Sequence, residues 1–255
     1  MTALGIGVPQ MSTPTSAWPD ESATETPEIT EPAGRPRGGD AGSRIADSIR
    51  NGIVAGEYPP GTRIRQEDVA ARFGASRVPV RQALQQLEYE GLVTVVANSG
   101  AWVARLTLAE CEEIYQMRER LEPLLLRFSA PHLGPAEVEG LSRLAQRISV
   151  VGADTDAFLA LDREFHLASY AGAHTAQLGD LIQKLWNTTA PYRRAYVETW
   201  EPESRRIAYE EHHLIVAALK DADVEEAERV LAGHIRRTRR QLARNPHIFH
   251  PSDEG

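Results

Sequence analysis

The stretch from Ser76 to Leu92, SRVPVRQALQQLEYEGL, constrains the fold of this chain more than any other segment. It opens with Ser76, a residue type favoured at helix N-caps, and Pro79 falls in the first turn, where a missing backbone N–H costs little. Apolar residues then recur at helical spacing, at Val80, Leu84 and Leu87. This spacing predicts a short helix with one buried face.

A second face of the same predicted helix is polar. Arg77, Arg81 and Gln85 recur every four residues in its N-terminal part. A short helix with one buried face and an N-terminal half that carries arginines is what recognition of a DNA major groove requires. A solvated surface helix with two arginines would show the same pattern, so the flanking segments decide between the two interpretations.

The flanking segments predict a helix-turn-helix followed by a β-hairpin. Residues 43–55 carry isoleucines every four positions and residues 66–73 form a second short amphipathic segment, which the Gly74-Ala75 turn joins to the arginine-bearing helix. After that helix, residues 92–96 and 101–104 are β-rich and are separated by Ala-Asn-Ser-Gly, which indicates a hairpin. Three helices and a hairpin within this length predict a winged helix-turn-helix.

Residues 44–106 resemble the winged-helix domain of the GntR family of bacterial transcription regulators. The matching segments are IRNGIVAGEYPPGTRI, EDVAARFGASRVPVRQALQQLEYEGLV and NSGAWVARL, in that order. The resemblance implies that Ser76, Arg77 and Arg81 contact double-stranded operator DNA. It also implies that the wing tip, at Ser99 and Gly100, reaches the minor groove. Gln85 shares the arginine face and completes the predicted DNA-binding set, whereas Glu67 stands where some relatives have a DNA-binding arginine.

The charge distribution agrees with a DNA-binding segment in an otherwise acidic chain. The net charge of the 255 residues is −8. Residues 41–106 carry eight arginines against six acidic residues, and are the only positive segment. Arginine suits contacts to phosphates and base edges. The single cysteine, Cys111, excludes an internal disulfide framework, and the absence of a signal peptide pattern or a long apolar run predicts a cytoplasmic protein that does not contact membranes.

After the predicted wing the pattern becomes helical throughout. Capping residues at Thr107, Asp154 and Asp223 begin three helices, and further helices are predicted from Pro135, Thr175 and Glu201. The Thr175 helix is expected to bend at Pro191. The predicted fold is therefore mainly α, with a winged helix-turn-helix at residues 43–106 and an all-α bundle of six or seven helices at 107–244. Residues 1–42 are predicted to be a disordered arm, and 245–255 a flexible tail.

Four polar side chains share a helical phase with the apolar face of the bundle. Asp162 and His166 lie four residues apart on one predicted helix, and His212 and His234 lie on two others. His213 is rotated by ~100° toward the polar side of its helix. Burying these four groups without partners would be unfavourable. A divalent transition metal would satisfy all four, and their chemistry suits Zn²⁺ above all, then Ni²⁺, Mn²⁺ or Fe²⁺.

The helical region resembles the FCD-type effector domain of the FadR subgroup of the GntR family. Members with the DxxxH pair, the EHxxI-like motif and a histidine in the last helix bind a metal through these residues. The resemblance therefore implies metal ligation by Asp162, His166, His212 and His234. The FadR namesake lacks these ligands and binds a fatty-acyl thioester, so this chain matches a different branch.

Arg118 is a further polar residue on an apolar face, since it shares that face with Ile114, Leu121 and Leu125. A buried arginine needs an anion. One interpretation is an intramolecular salt bridge to Glu122, one turn further on. The other is that Arg118 binds the carboxylate of a small organic acid effector above the metal.

The favoured function is a ligand-responsive, homodimeric transcription regulator, most often a repressor in this family. A metal-dependent hydrolase or oxygenase with an appended DNA-binding domain is the competing class. It would need an acid or base that is free of the metal, and Glu122 is the one nearby residue that could serve. A pure metal sensor is the third interpretation.

Overall fold

The winged-helix domain and the helical domain each have their own hydrophobic core. The computed structural model describes residues 38–96 and 100–249. The predicted arm up to residue 37, Ser99 and residues 250–255 lie outside the described residues. The helices are α1 (Gly38–Ala55), α2 (Gln66–Phe73), α3 (Arg77–Tyr89), α4 (Leu108–Ser129), α5 (Pro135–Val150), α6 (Thr155–Ser169), α7 (Leu178–Glu198), α8 (Pro202–Lys220) and α9 (Val224–Arg244).

The winged-helix domain forms because three amphipathic helices share one apolar centre. Ile45, Ile49 and Ile53 of α1 are each at most 2% exposed, and the apolar face of α3 packs against them. Each such side chain contributes about 1.5–3 kcal/mol on burial. Helix α2 ends at Phe73 and is capped by Gly74, whose left-handed φ of 55° allows the sharp turn into α3. The predicted helix-turn-helix is confirmed, although α1 begins at Gly38, inside the segment that was predicted to be an arm.

A three-stranded antiparallel sheet completes this domain. Strands β1 (Arg63–Ile64), β2 (Val93–Val96) and β3 (Gly100–Val103) have the order β1-β3-β2. The hairpin β2–β3 is the predicted wing, with Val96 paired to Gly100. Strand β1 was not predicted, because two residues inside a Pro/Gly-rich turn are too short to show an alternating pattern.

The helical domain consists of α4 to α9 within the described residues, which agrees with the lower predicted helix number. The predicted caps are present: Thr107 and Glu110 form a reciprocal capping box on α4, and the side chains of Asp154 and Asp223 accept N–H bonds from the first turns of α6 and α9. Helix α7 runs through Pro191 as one helix. No helix of the described residues is long and apolar enough to cross a membrane.

The predicted flexible tail is partly wrong. A 3₁₀ turn spans Pro246–Phe249, directly after α9. The Phe249 ring is buried and stacks on Tyr192 of α7 at 4.8 Å between ring centroids. The Tyr192 hydroxyl in turn accepts a 2.6 Å hydrogen bond from the Leu106 N–H, in the segment that joins the two domains. The sequence of this segment is mostly polar. A single aromatic residue gives no periodic pattern from which an ordered structure could be predicted.

Candidate metal centre and DNA-reading helix

The predicted DNA-binding residues of α3 lie on its solvent face. Ser76, Arg77, Arg81 and Gln85 are exposed, while the opposite face of the helix is in the core. Ser76 occupies the N-cap position but its side chain makes no cap hydrogen bond. Arg77 is 76% exposed and lies 3.4 Å from the Glu67 carboxylate of α2. Such an exposed ion pair contributes little, so it can open when DNA approaches.

Val78 is a further exposed residue of α3 that the sequence reasoning missed. It is 54% exposed beside Arg77. An exposed apolar side chain at the N-terminus of a recognition helix suits contact with a thymine methyl group. The signal was present in the sequence, because Val78 falls outside the apolar face of its own helix.

The wing tip is described only in part. Gly100 begins β3 with a φ of 111°, a backbone conformation that favours glycine. A Cβ at this position would lie 3.2 Å from the Ile64 carbonyl oxygen of β1. Gly100 is thus required by the sheet geometry, whatever its contact with DNA.

The four predicted metal ligands come together in the centre of the helical domain. One ligand atom from each of Asp162, His166, His212 and His234 lies within 4.8 Å of every other, and all four residues are buried. Asp162 Oδ1 is 3.2 Å from His212 Nε2 and 3.9 Å from His166 Nε2. His213, the neighbour that helical phase placed outside, is exposed. The four side chains that helical phase directed inward on three separate helices are therefore buried and lie next to one another.

Hydrogen bonds from the Nδ1 atoms turn the histidines toward the cluster. His212 Nδ1 lies 2.7 Å from the Ala208 carbonyl oxygen, which can only accept, so the proton is on Nδ1 and Nε2 keeps its lone pair. His234 Nδ1 lies 2.7 Å from the Glu211 carboxylate, and His166 Nδ1 lies 3.3 Å from the Tyr170 hydroxyl. All three imidazoles can thus present a bare Nε2 to a common point, as metal-bound histidines do.

The electrostatics keep the four groups in their ligand forms. Burial lowers the pKa of each of the three histidines, and brings that of His234 to about 4. Burial by itself would raise the pKa of Asp162, but the charge of Arg193 and the imidazoles outweigh it and hold that pKa well below its ordinary value. The cluster therefore combines one carboxylate and three neutral imidazoles at neutral pH.

Four polar atoms of this cluster are buried without hydrogen-bond partners. Both carboxylate oxygens of Asp162, His166 Nε2 and His212 Nε2 make no hydrogen bond. Arg193 NH2 is 2.7 Å from Asp162 Oδ1, at ion-pair distance, but the two groups are not aligned for a hydrogen bond. Such atoms are rare in protein interiors and need an explanation. A divalent ion fits, because ligand atoms around one ion lie up to about 4.2 Å apart at bond lengths near 2.1 Å, a small shift from the present spacing.

Sequence reasoning missed three residues around the cluster. Arg193 of α7 is buried beside Asp162. Glu211 accepts from His234, and Tyr170 links His166 to the Glu122 carboxylate through a 2.7 Å hydrogen bond. Arg193 follows Pro191, where a predicted bend made helical phase unreliable. The other two make contacts between helices, which periodicity within a single helix does not show.

Arg118 forms the intramolecular pair that was one of its two predicted roles. Its Nε lies 2.6 Å from Glu122 Oε1, and its NH1 donates a 3.0 Å hydrogen bond to Thr189 Oγ1. The guanidinium also lies over the rings of Trp186 and Tyr115. Arg118 nevertheless borders a small cavity that His166, His234 and Arg193 also line. Glu122 is occupied by Arg118 and Tyr170, so it is not the free acid or base that an enzyme would need.

Helix α7 also contacts the winged-helix domain through side chains. Asn187 Nδ2 donates to the Glu90 carbonyl at the end of α3, and Thr188 Oγ1 donates to the Gly91 carbonyl. Arg194 Nε donates a 3.0 Å hydrogen bond to the Val54 carbonyl near the end of α1. The buried cluster and the DNA-reading domain are thus attached to the same helix.

Two family models match this chain, and they correspond to its two domains. The model described as "Bacterial regulatory proteins, gntR family" matches residues 41–103, and the model described as "FCD domain" matches residues 113–237. The chain belongs to the GntR family. Its FCD domain fits the FadR-like subgroup, which confirms both predicted resemblances.

Curated relatives agree with this assignment. HTH-type transcriptional regulator McbR of Escherichia coli is 26% identical over 191 residues, which cover 74% of this chain and 86% of McbR. The Nta operon transcriptional regulator of Aminobacter aminovorans is 28% identical over 72% of this chain and 86% of its own length. HTH-type transcriptional repressor GlaR of Escherichia coli is 25% identical over 73% of this chain and 89% of its own length.

The solved structure of Escherichia coli McbR/YncC has the same fold. It superposes with a TM-score of 0.71 at 24% identity and covers 80% of this chain and 98% of that chain. The relatives named here are transcription regulators. This GntR/FCD protein is a DNA-binding transcription regulator and not an enzyme.

Proposed function

We propose that this GntR regulator is a homodimeric, ligand-responsive repressor in the cytoplasm. In this proposal its FCD domain binds one divalent metal ion and a small organic acid, and its α3 helices read double-stranded operator DNA. The relative GlaR is named a repressor, which supports that direction of regulation. One observation carries the metal part of the proposal: ligand atoms of Asp162, His166, His212 and His234 converge at one buried point, where the Asp162 carboxylate and the Nε2 atoms of His166 and His212 have no hydrogen-bond partner.

The donor set limits which metal is expected. Three imidazole nitrogens and one carboxylate oxygen suit Zn²⁺ first, and Ni²⁺, Mn²⁺ or Fe²⁺ next, whereas Mg²⁺ and Ca²⁺ prefer sites made entirely of oxygen. An ion with six positions would keep two for a chelating acid. Arg118 and Arg193 line the adjacent cavity, so an organic acid there would meet positive charge.

A homodimer is supported by the surface of α4. Met117, Leu124 and Phe128 are exposed on this helix, and the partly buried Leu121 lies between them at helical spacing. Such an apolar stripe suits a second copy of the same helix. Two α3 helices related by a twofold axis would read a short palindrome, with half-sites about one helical turn apart or less.

The metal proposal is tested by a matched pair of neighbouring histidines. The purified full chain should contain roughly one divalent ion per chain by elemental analysis, as a four-ligand site holds a single ion. His212→Ala should lose this ion, because His212 is inside the cluster. His213→Ala should keep it, because His213 is exposed. Equal metal loss in both variants would contradict the assignment of the cluster.

The regulatory proposal needs a separate measurement. Operator affinity of the full chain is measured by fluorescence anisotropy on its own promoter fragment, with chelator, with metal, and with metal plus members of a panel of small organic acids. A repressor that responds to an acid should release DNA only when metal and the right acid are both present. If metal alone changes operator affinity and no acid adds to that change, the protein is a pure metal sensor.

A further inference from the structure

A surface groove lies next to the N-terminal half of α3, in the winged-helix domain. It has a volume of about 540 Å³ and lies between the N-terminal part of α1 and the turn that joins α2 to α3. Its lining residues include Ala41, Phe73, Ser76, Val78 and Pro79. Clefts that bind small ligands have volumes of roughly 300–1,000 Å³. This α3 groove is therefore large enough to hold an aromatic or aliphatic side chain with some adjacent backbone.

The α3 groove combines an apolar lining with positive charge at its edge. Val78 is apolar and yet exposed, and Phe73 is only partly buried. Arg77, next to Val78 in the chain, is exposed, and so is Arg81 one turn further along α3. Covering the apolar side chains would be favourable, and the arginines attract negative charge. A ligand that fits this surface should therefore carry both apolar side chains and negative charge.

The chain itself contains a segment of this chemistry shortly before α1. Residues 18–32, with the sequence WPDESATETPEITEP, include five acidic residues and no lysine or arginine. The same residues include two large apolar side chains, Trp18 and Ile29. This acidic segment therefore offers the two properties that the α3 groove and its arginines require of a ligand.

The position of the acidic segment in the chain favours binding to the groove of the same molecule. Helix α1 begins at Gly38, and Ala41 in its first turn lines the groove. Ile29 precedes Ala41 by twelve residues, which span up to about 40 Å when extended. A short tether gives a local concentration in the millimolar range, so even a contact with a dissociation constant of about 1 mM is populated roughly half of the time.

We propose that the acidic segment covers the N-terminal half of α3 when no DNA is bound. Its apolar side chains occupy the α3 groove, and its carboxylates lie beside Arg77 and Arg81. DNA has to displace the segment, so operator and unrelated DNA lose affinity by the same factor. Non-specific complexes, which are weak from the start, are then depleted, whereas the operator keeps the affinity that base contacts add. The proposal rests on the proposed DNA-reading role of α3 and is independent of the metal centre.

Neutralising the acidic segment in the full chain tests the proposal. The variant carries Asp20→Asn, Glu21→Gln, Glu25→Gln, Glu28→Gln and Glu31→Gln. It should bind both its promoter fragment and a random duplex about tenfold more tightly than wild type at about 50 mM salt. The gain should fall below about twofold at about 0.3 M salt, because salt screens the contacts between the segment and the arginines. Fluorescence anisotropy with chelator present measures both affinities.

A charge-matched control separates this contact from the overall charge of the chain. It removes five exposed carboxylates of α5, α8 and α9 instead, by substitution to Gln at Glu137, Glu139, Glu203, Glu210 and Glu225. The net charge changes by the same amount, but the substitutions lie outside the winged-helix domain. Because charge effects are screened over a distance on the order of 10 Å, DNA affinity should change by less than about twofold. Equal gains in the two variants would overturn the proposal.

Photo-crosslinking tests where the acidic segment binds. The full chain is prepared with p-benzoylphenylalanine in place of Trp18, irradiated with and without promoter DNA, and cleaved after acidic residues. Cleavage after Asp68 and Glu88 releases residues 69–88, which contain the α2–α3 turn and most of α3. We expect crosslinks to this fragment, and DNA should suppress them. Crosslinks to the helical domain, or none to this fragment, would contradict the proposal.

Mixing isotopically heavy and light chains shows which molecule the acidic segment contacts. Crosslinks within one chain are expected, whereas crosslinks between heavy and light chains would place the segment on a second copy and contradict binding in the same molecule. If Arg77→Ala combined with Arg81→Ala leaves promoter binding unchanged, the proposed DNA-reading role of α3 fails. The crosslinks to residues 69–88 still decide separately whether the acidic segment binds the groove.

Discussion

Arg193 and Arg194 are consecutive on α7, yet Arg193 contacts Asp162 in the buried cluster whereas Arg194 donates to the Val54 carbonyl of the winged-helix domain. Thr188 and Thr189 show the same alternation, since Thr189 accepts from Arg118 and Thr188 donates to the Gly91 carbonyl. A shift of α7 that follows ligand binding would therefore reach the end of α1 and the end of α3. We therefore expect this contiguous set of contacts to couple the two domains.

Removing the contacts from α7 to the winged-helix domain should uncouple effector binding from DNA binding. Arg194→Ala combined with Asn187→Ala should keep metal content, and should reduce the effector-dependent change in operator affinity from the usual coupling of about 1–3 kcal/mol toward zero. Anisotropy titrations with and without effector measure this change. Arg205→Ala is the matched control, because Arg205 also donates to a backbone carbonyl, that of Gly152, but within the helical domain. Unchanged coupling in the double variant would exclude this route.

The arginines of α3 should carry operator affinity. Arg77→Ala and Arg81→Ala should each weaken specific binding by about 1–3 kcal/mol, the range for a base or phosphate contact in the major groove. Both are exposed, so the melting temperature should stay within about 1–2 °C, as for most surface substitutions. Arg206→Ala, on the helical domain, should leave DNA binding intact. A doubly substituted protein that still shifts its promoter fragment with wild-type affinity would contradict the recognition-helix assignment.

The inward direction of the four candidate ligands could be predicted from the sequence because the relevant helices are regular. Asp162 and His166 are one turn apart on α6, and helical phase separated His212 from His213 on α8. The rule of about 100° per residue holds in such uninterrupted helices, so each ligand could be assigned to an inward face. Helical phase alone does not show which inward faces of different helices lie next to one another.

The missed residues show where this reasoning stops. Arg193 lies beyond Pro191, and Glu211 reaches His234 on another helix. Strand β1 exists because Arg63 and Ile64 pair with β3 across the sheet, a contact that a two-residue segment does not encode in its own pattern. Glu211 and strand β1 are thus determined by long-range contacts, which depend on the whole fold rather than on local periodicity.

The buried pair of Arg118 and Glu122 changes what is expected of an Arg118 variant. Arg118→Ala would leave the Glu122 carboxylate buried with the Tyr170 hydroxyl as its one hydrogen-bond donor, and should destabilise the protein by about 3–5 kcal/mol. Urea denaturation measures this loss. The double variant Arg118→Met with Glu122→Leu removes both charges and should recover most of the stability. Full stability of Arg118→Ala would show that the pair is dispensable.

Cys111 should be unreactive in the folded protein. Burial raises the pKa of its thiol to about 12, against 9.0 for an unburied group. Since the folded-state pKa lies above the unfolded one, the associated stability is complete below pH 9 and declines as the pH rises from 9 toward 12. A thiol reagent such as DTNB at pH 8 should react only after denaturation, at one thiol per chain. Rapid reaction of the native protein would show that Cys111 is accessible.

The stacking of Phe249 on Tyr192 has a practical consequence for handling this protein. The Tyr192 hydroxyl accepts a hydrogen bond from the Leu106 N–H, so the Phe249 ring packs against the side chain that anchors the segment between the winged-helix and helical domains. A truncation after Arg244 would remove this stacking contact, and a bulky fusion partner attached directly after Phe249 would disturb it. We expect such a protein to fold and bind DNA with altered contacts between its two domains, so affinity tags belong at the other end of the chain.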